Sequence, residues 1–355
     1  MVNYYEDYWQ DVEVVAQQTP NLENLYGSTI LITGATGMIC SAVAEVLLYL
    51  NRENPANIQI ILAGRDKDRT KKRFYCFEEG KDYTFIQYDA TSDNPLNIKA
   101  DYIIHGASNA DPGKFAKEPV ETMLANIIGL NSLLKSATSN HTKRLLYISS
   151  SEVYGRKEEK RPYKEDDYGF VDILNPRASY PSSKRAAETL CAAYSAEYGL
   201  DTVIVRPGHI YGPTITDSDS RASAQFTRKA KAGENIVMKS AGTQLRSYCY
   251  TLDCASAILT VLINGKKGEA YNISNPLSVV TIREMAEALA KAGNVNIEFE
   301  NPSDAEQNSF NLMDNSSLDS TKIESIGWHA ISDIFRGAQK TLNYYSFNPN
   351  AYNNI

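Results

Sequence analysis

Short apolar runs separated by longer amphipathic stretches organise the chain from residue 28 to residue 206. Thr29-Ile30-Leu31-Ile32-Thr33 is fully apolar at its centre, the pattern of a strand covered on both faces of a parallel sheet. Comparable runs follow at 58–63, 84–88, 102–105, 144–149 and 202–205. Between them, helical spacing is expected over about residues 40–51, 119–137 and 180–198. Strands alternating with helices predict a doubly wound parallel sheet of the α/β class. After Arg206 the alternation loosens. Segments rich in Ser, Thr, Gly and Asp at 212–222 and 240–247 read as loops around a ligand. Helical stretches near 225–232, 281–292 and 331–344 suggest a smaller, mixed α/β part. In front of the first strand, Tyr8, Val12 and Val15 mark a short amphipathic helix in an N-terminal arm, residues 1–26.

Composition narrows the partners. A chain of 355 residues with 43% hydrophobic and 22% charged residues suits one large globular domain or two closely joined ones. The net charge of −7 argues against nucleic acid or an anionic membrane. The basic stretch Arg69, Lys71, Lys72 and Arg73 reads as a solvated helix face. No apolar run approaches bilayer length, and the acidic, aromatic N-terminus is unlike a signal peptide. Cys40, Cys76, Cys191, Cys249 and Cys254 contain no Cys-x-x-Cys spacing, which suggests reduced thiols in a cytoplasmic protein. His105, His141, His209 and His329 have no metal-ligand spacing, so no metal site is expected.

The first strand runs into Thr33-Gly34-Ala35-Thr36-Gly37, with a helix pattern behind it. Such a turn lets the backbone approach a pyrophosphate, with helix N–H groups facing the anion. The third position of the Gly-x-x-Gly-x-x-Gly pattern is Cys40, small enough for helix–strand packing. The second strand ends in Ala63-Gly64-Arg65-Asp66, without the acidic residue that would hold an adenosine ribose. Arg65 could pair with a 2′-phosphate, which leans towards NADP, or it is simply solvated. Asp66 stands slightly late for the ribose role but within reach of it, and is counted among the cofactor contacts. Asp89-Ala90 is expected at the adenine, and Gly106-Ala107-Ser108 along the cofactor.

Tyr180-Pro181-Ser182-Ser183-Lys184 carries the chemistry. A tyrosine and a lysine four apart share a helix face. The ammonium is expected to lower the tyrosine pKa from its free value near 10. A phenolate beside a serine hydroxyl can take a proton from a substrate alcohol as hydride leaves the same carbon. Ser149-Ser150-Ser151-Glu152 supplies such hydroxyls. Tyr-x-x-x-Lys alone is common on solvated helices; its place after a glycine turn and a serine cluster is what points to NAD(P)-dependent oxidation.

With these residues the chain resembles the extended short-chain dehydrogenases/reductases of the NAD-dependent nucleotide-sugar epimerase/dehydratase group, over roughly residues 28–345. His105-Gly106-Ala107-Ser108, Pro119, Asn126 and Gly129 are similar to that group. So are the stretches 206–213, 246–253 and 271–273, and Asp319-Ser320-Thr321-Lys322 leading to Gly327-Trp328. The resemblance implies a Rossmann-type dinucleotide domain at 27–205, with 247–275 returning to it. A nucleotide-sugar lobe would comprise 206–246 and 276–355. It implies Tyr180 as base, Lys184 on the nicotinamide ribose and Ser150 orienting the sugar 4-OH. Further cofactor contacts are expected from Gly34, Thr36, Gly37, Met38, Ile39, Asn126, Ser149, Pro207, His209 and Ile210. The cofactor, NAD on this resemblance, would be tightly bound and recycled. A homodimer would pair through the helices near 119–137 and 180–197, whose apolar faces intrachain packing explains equally well.

The serine cluster discriminates within the group. In 4,6-dehydratases of dTDP- or CDP-linked glucose the middle residue is typically an aspartate that protonates the leaving 6-hydroxyl; here it is Ser151. Simple 4-epimerases generally lack the glutamate. Ser150-Ser151-Glu152 is similar to UDP-glucuronate decarboxylases and to GDP-mannose 4,6-dehydratases, and residues 107–112 resemble the decarboxylases more. Arg246 falls on the arginine that faces the reacting carboxylate in bacterial decarboxylases; a diphosphate clamp is the alternative role. Substrate contacts are therefore expected from Ser108, Ser150, Ser151, Glu152, Tyr180, His209 and Arg246, with His209 departing from the group's usual asparagine; as catalytic residues, Glu152 would assist proton movements and Arg246 would bind the carboxylate or reprotonate C5. UDP-glucuronate decarboxylation is favoured. 4-Epimerisation, 4,6-dehydration and 4-keto reduction remain open, as does a non-catalytic NAD(P)-binding sensor or scaffold.

Overall fold

The computed structural model describes residues 6–92, 96, 98–216, 218–301 and 313–345. Parts of the expected arm (1–5) and of the expected C-terminal lobe (302–312 and 346–355) lie outside the described residues. The strands are β1 (Thr29–Thr33), β2 (Gln59–Gly64), β3 (Thr84–Gln87), β4 (Tyr102–His105), β5 (Arg144–Ile148), β6 (Thr202–Pro207), β7 (His209–Tyr211), β8 (Ile236–Met238), β9 (Leu245–Tyr250), β10 (Ala270–Ile273), β11 (Val279–Thr281), β12 (Ile297–Phe299) and β13 (Asn315–Ser316). The helices are α1 (Glu6–Gln18), α2 (Met38–Glu53), α3 (Lys67–Arg73), α4 (Pro112–Lys117), α5 (Pro119–Leu124), α6 (Leu130–Ser139), α7 (Ser179–Tyr198), α8 (Ala222–Lys231), α9 (Thr251–Asn264), α10 (Ile282–Gly293), α11 (Thr321–Glu324) and α12 (Ile334–Tyr344).

Among the described residues, the central sheet has seven parallel strands in the order β10-β6-β5-β4-β1-β2-β3. The order reverses between β1 and β4, the switch point at which α/β sheets bind ligands beyond their strand ends. The six apolar runs form β1 to β6. The seventh strand, β10, is short and polar at Asn272, so hydropathy does not reveal it. The smaller sheet joins β11, β9 and β13, with β7 also paired to β9. Residues 245–247, expected in a loop, therefore lie in a strand. Residues 247–250 belong to this second sheet, whereas α9 and β10 pack on the first.

The expected helix over 119–137 is interrupted. Residues Ala125–Gly129 form a π turn between α5 and α6. A Cβ on Gly129 would lie 2.6 Å from the Ala90 carbonyl oxygen, so the chain passes close to the end of β3 there.

Helix α2 is buried on all sides from Cys40 to Leu50, because α1 and α9 cover the face that the sheet leaves open. Tyr8, Val12 and Val15 of the arm are buried against this layer, each burial contributing on the order of 1.5–3 kcal/mol. The same burial forces a partner on Glu45. Its carboxylate accepts from the Tyr8 hydroxyl at 2.5 Å and pairs with Arg73 at 2.5 Å. Arg73 thus turns inward from α3, contrary to the expectation of a wholly solvated basic face.

Candidate active site

The glycine turn joins β1 to α2 at the switch point. Gly34 has φ +67°, a left-handed conformation that disfavours a side chain, and a Cβ there would lie 2.8 Å from the Ala107 amide nitrogen. Helix α2 then starts at Met38, two residues before the expected boundary, with Gly37 at its N-cap making no side-chain cap hydrogen bond. This leaves N–H groups at the end of a sixteen-residue helix for an anion. Cys40 occupies the third glycine position tightly: a Cβ on Gly106 would collide with its Sγ. The cradle fits a dinucleotide pyrophosphate. The unpaired buried hydroxyls of Ser108 and Ser149, past the ends of β4 and β5, add polar groups beside it.

The adenosine end differs from expectation in one respect. Asp66 is the N-cap of α3, accepting the Arg69 N–H at 2.9 Å, so one carboxylate oxygen is committed to the helix. Arg65 is exposed, and its charge is one of the influences that hold Asp89 below the usual carboxylate range, after the Thr91 hydrogen bonds. Asp89 accepts from the backbone and hydroxyl of Thr91. Asn126, expected at the cofactor, is buried in the π turn. Its amide nitrogen donates to the Thr122 carbonyl and the Ser183 hydroxyl, and its oxygen accepts from Tyr147. These contacts tie it to α7.

Helix α7 places Tyr180 and Lys184 side by side beneath the end of β5. The Ser150 hydroxyl lies near the Tyr180 hydroxyl and favours its phenolate. Ser150 is held in turn as the cap of the 3₁₀ turn Ser151–Tyr154, accepting the Glu152 N–H at 3.2 Å. Lys184 is buried, donates to the Ile148 carbonyl at 2.8 Å and lies 5.8 Å from the Tyr180 ring centre. Burial dominates both groups: it pushes the tyrosine up to about 12 and the lysine down to about 7. Ser150 and Arg221 favour the phenolate, and Glu152 opposes it. The expected lowering of the tyrosine pKa is not what the structure shows, because desolvation outweighs the neighbouring charges.

The smaller sheet supplies the other wall. Arg246 on β9 is 3% exposed, and its guanidinium donates to the adjacent Leu245 carbonyl at 2.9 Å. Among the described residues no carboxylate lies within ion-pair distance of it, although Glu152 and Asp314 influence it. Burial lowers its pKa accordingly. His209 pairs with Tyr248 across β7 and β9, and its Nδ1 is buried without a partner. Burial, Arg246 and Arg221 depress it to about 3, so its imidazole is neutral near pH 7. Pro207 and Ile210 are buried on either side of it, and the Ile210 carbonyl accepts from Arg221.

Three residues at this centre carried no sequence signal. Phe115 on α4 stacks on Tyr180 with ring centres 5.0 Å apart and planes 10° apart. Arg177 binds Glu152 through both guanidinium nitrogens at 3.2 Å. Arg221 pairs with Asp219 and feels Tyr180. A lone arginine before a helix has no periodicity to betray it; only the proximity of Arg177 to Tyr180 in sequence was visible. A cavity of about 660 Å³ lies elsewhere, beside α7, β6 and β10. Its lining includes none of Tyr180, Lys184, Ser150 and Arg246, so it is not the reacting centre.

The sequence model of the NAD dependent epimerase/dehydratase family matches residues 30–274. The chain belongs to that family. This epimerase/dehydratase-family chain is 33% identical over 269 residues to UDP-glucuronic acid decarboxylase 5 of Arabidopsis thaliana, covering 76% of each protein. It is 26% identical over 337 residues to dTDP-D-glucose 4,6-dehydratase of Homo sapiens, covering 93% of each. Its fold matches the crystal structure of UDP-glucuronic acid 4-epimerase from Bacillus cereus, in complex with UDP-glucuronic acid and NAD. The TM-score is 0.73 at 21% identity, over 89% of this chain and 98% of that one.

Proposed function

We propose that this protein oxidises C4 of a nucleotide sugar with a bound nicotinamide dinucleotide, and that its substrate is UDP-glucuronate, which it decarboxylates. The observation that carries the choice of substrate is Arg246, a buried guanidinium with no acidic partner among the described residues. Leaving such a charge unpaired is costly, and an anionic ligand group relieves it. The 33%-identical decarboxylase supports the same reading.

When bound, the nicotinamide accepts and returns the hydride of C4. The chain's own residues do the rest. The glycine turn and the start of α2 hold the pyrophosphate. Ser150 orients the 4-hydroxyl, and Tyr180 takes its proton. Lys184, against the end of β5, holds the nicotinamide ribose. Oxidation at C4 makes the C5 carboxylate that of a β-keto acid, which loses CO2 through an enolate. Arg246 positions that carboxylate and balances the charge that develops. Ser151 offers no carboxyl to protonate a leaving 6-hydroxyl, which disfavours dehydration.

The reading predicts that UDP-glucuronate binds the protein at least tenfold more tightly than UDP-glucose, as titration calorimetry would detect. Equal affinities would remove the argument from Arg246. We also propose that two copies pair through α5, the π turn and α7. Val120, Met123 and Leu124 are exposed there beside the half-buried Ile127 and Leu190. Sedimentation should then report twice the chain mass of 39.4 kDa, and a monomer at micromolar concentration would refute the pairing.

A further inference from the structure

We propose that Arg177 is a positioning residue of this centre, holding Glu152 and Phe115 against Tyr180 and offsetting part of the Glu152 charge that Tyr180 would otherwise face. The inference rests on the reading of Tyr180 as base. Arg177 sits in the 3₁₀ turn Pro176–Ala178, immediately before α7. Pro176 opens that turn, and the Asn175 side chain caps it by accepting the Arg177 N–H at 3.0 Å. The guanidinium therefore projects from a fixed backbone. Its Nη1 and Nη2 donate to the two carboxylate oxygens of Glu152 at 3.2 Å each, a fork geometry that fixes the carboxylate's orientation as well as its place. The same guanidinium lies 5.5 Å from the Phe115 ring centre, and that ring is the one stacked on Tyr180. One side chain thus touches both a charged and an aromatic neighbour of the base.

The charge consequence follows from what surrounds Tyr180. Lys184 faces it from its own helix, Ser150 and Glu152 from the turn after β5, Tyr147 from β5, and Arg221 from the segment before α8. Within this set, Glu152 is the carboxylate that opposes the phenolate. With Arg177 in place, the Glu152 charge that Tyr180 faces is partly offset. Without it, Tyr180 faces an uncompensated anion and loses its proton less readily. Both side chains of the pair are partly solvated, so the effect is moderated by screening.

The test is the pH dependence of kcat/KM on a nucleotide sugar for the wild type, Arg177→Ala, Arg177→Lys and the double variant Arg177→Ala/Glu152→Gln. The limb on which the base loses its proton should move up in Arg177→Ala by roughly half a unit to one unit. That is about a three- to tenfold loss below the limb. Arg177→Lys, which keeps the charge and loses the fork, should move it less, and serves if Arg177→Ala does not fold. In the double variant the upward shift should disappear. An unmoved limb in both single variants overturns the proposal. So does an equal shift in Arg177→Ala and in the double variant, because the displacement would then not run through Glu152. If the wild type turns over no nucleotide sugar, the parent reading fails; if it is active with an immobile limb, only the role of Arg177 fails.

Discussion

Tyr180→Phe is expected to lower kcat by about 10²–10⁴-fold while leaving cofactor affinity within a factor of about two. The substitution removes one hydroxyl. The ring that stacks on Phe115 stays, and so do its buried surroundings. Ser150 keeps its place because the turn Ser151–Tyr154 holds it independently. The loss should therefore fall on kcat, with KM changed little, because the missing group acts on the proton that leaves as C4 is oxidised. Steady-state kinetics together with a cofactor titration separate these quantities. A variant that retains kcat within threefold would show that another group takes the proton. Cofactor binding that weakens in parallel with kcat would indicate a structural role instead.

Arg246→Ala is expected to lower kcat/KM on UDP-glucuronate by about 10²–10³-fold, the range for removing a donor aimed at developing charge. The structure adds a signature that simple damage would not produce. In the ligand-free protein Arg246 is buried without an ion-pair partner among the described residues, so removing it relieves an unpaired charge. The ligand-free variant should melt no lower than the wild type. It should nevertheless lose most of the extra stabilisation that UDP-glucuronate provides over UDP-glucose. Equal weakening towards both sugars would reassign Arg246 to the diphosphate, which the two ligands share.

The outcomes for particular residues show how much of this was legible in the chain. Six of the seven central strands could be read from short apolar runs: β1, β4, β5 and β6 are buried almost throughout, whereas the edge strand β3, exposed at Thr84 and Gln87, was visible only through Phe85 and Ile86. β10 escaped because it is a four-residue strand containing a polar residue, and its place comes from pairing with β6. The glycine turn could be read because φ +67° at Gly34 and its approach to Ala107 restrict the residue that fits. Tyr180, Lys184 and Ser150 meet because one lies on the helix that packs beneath the strand preceding the other. Their electrostatics were not legible. The sequence suggested a lowered tyrosine, whereas burial raises it, since desolvation depends on packing and not on spacing. Asp66 and Asn126 were placed at the cofactor by position alone; hydrogen bonding commits the first to a helix cap and the second to α7. Arg177 and Phe115 reach Tyr180 from loops whose paths no periodic pattern encodes.

The measurement that tests the central claim most directly is mass spectrometry of the products formed when the purified protein is incubated with UDP-glucuronate and NAD or NADP. The account predicts release of CO2 and accumulation of a UDP-pentose or its 4-keto form. A product of unchanged mass that chromatography separates from UDP-glucuronate would indicate epimerisation and contradict decarboxylation. Unreacted UDP-glucuronate with either cofactor would contradict the assignment of the substrate itself.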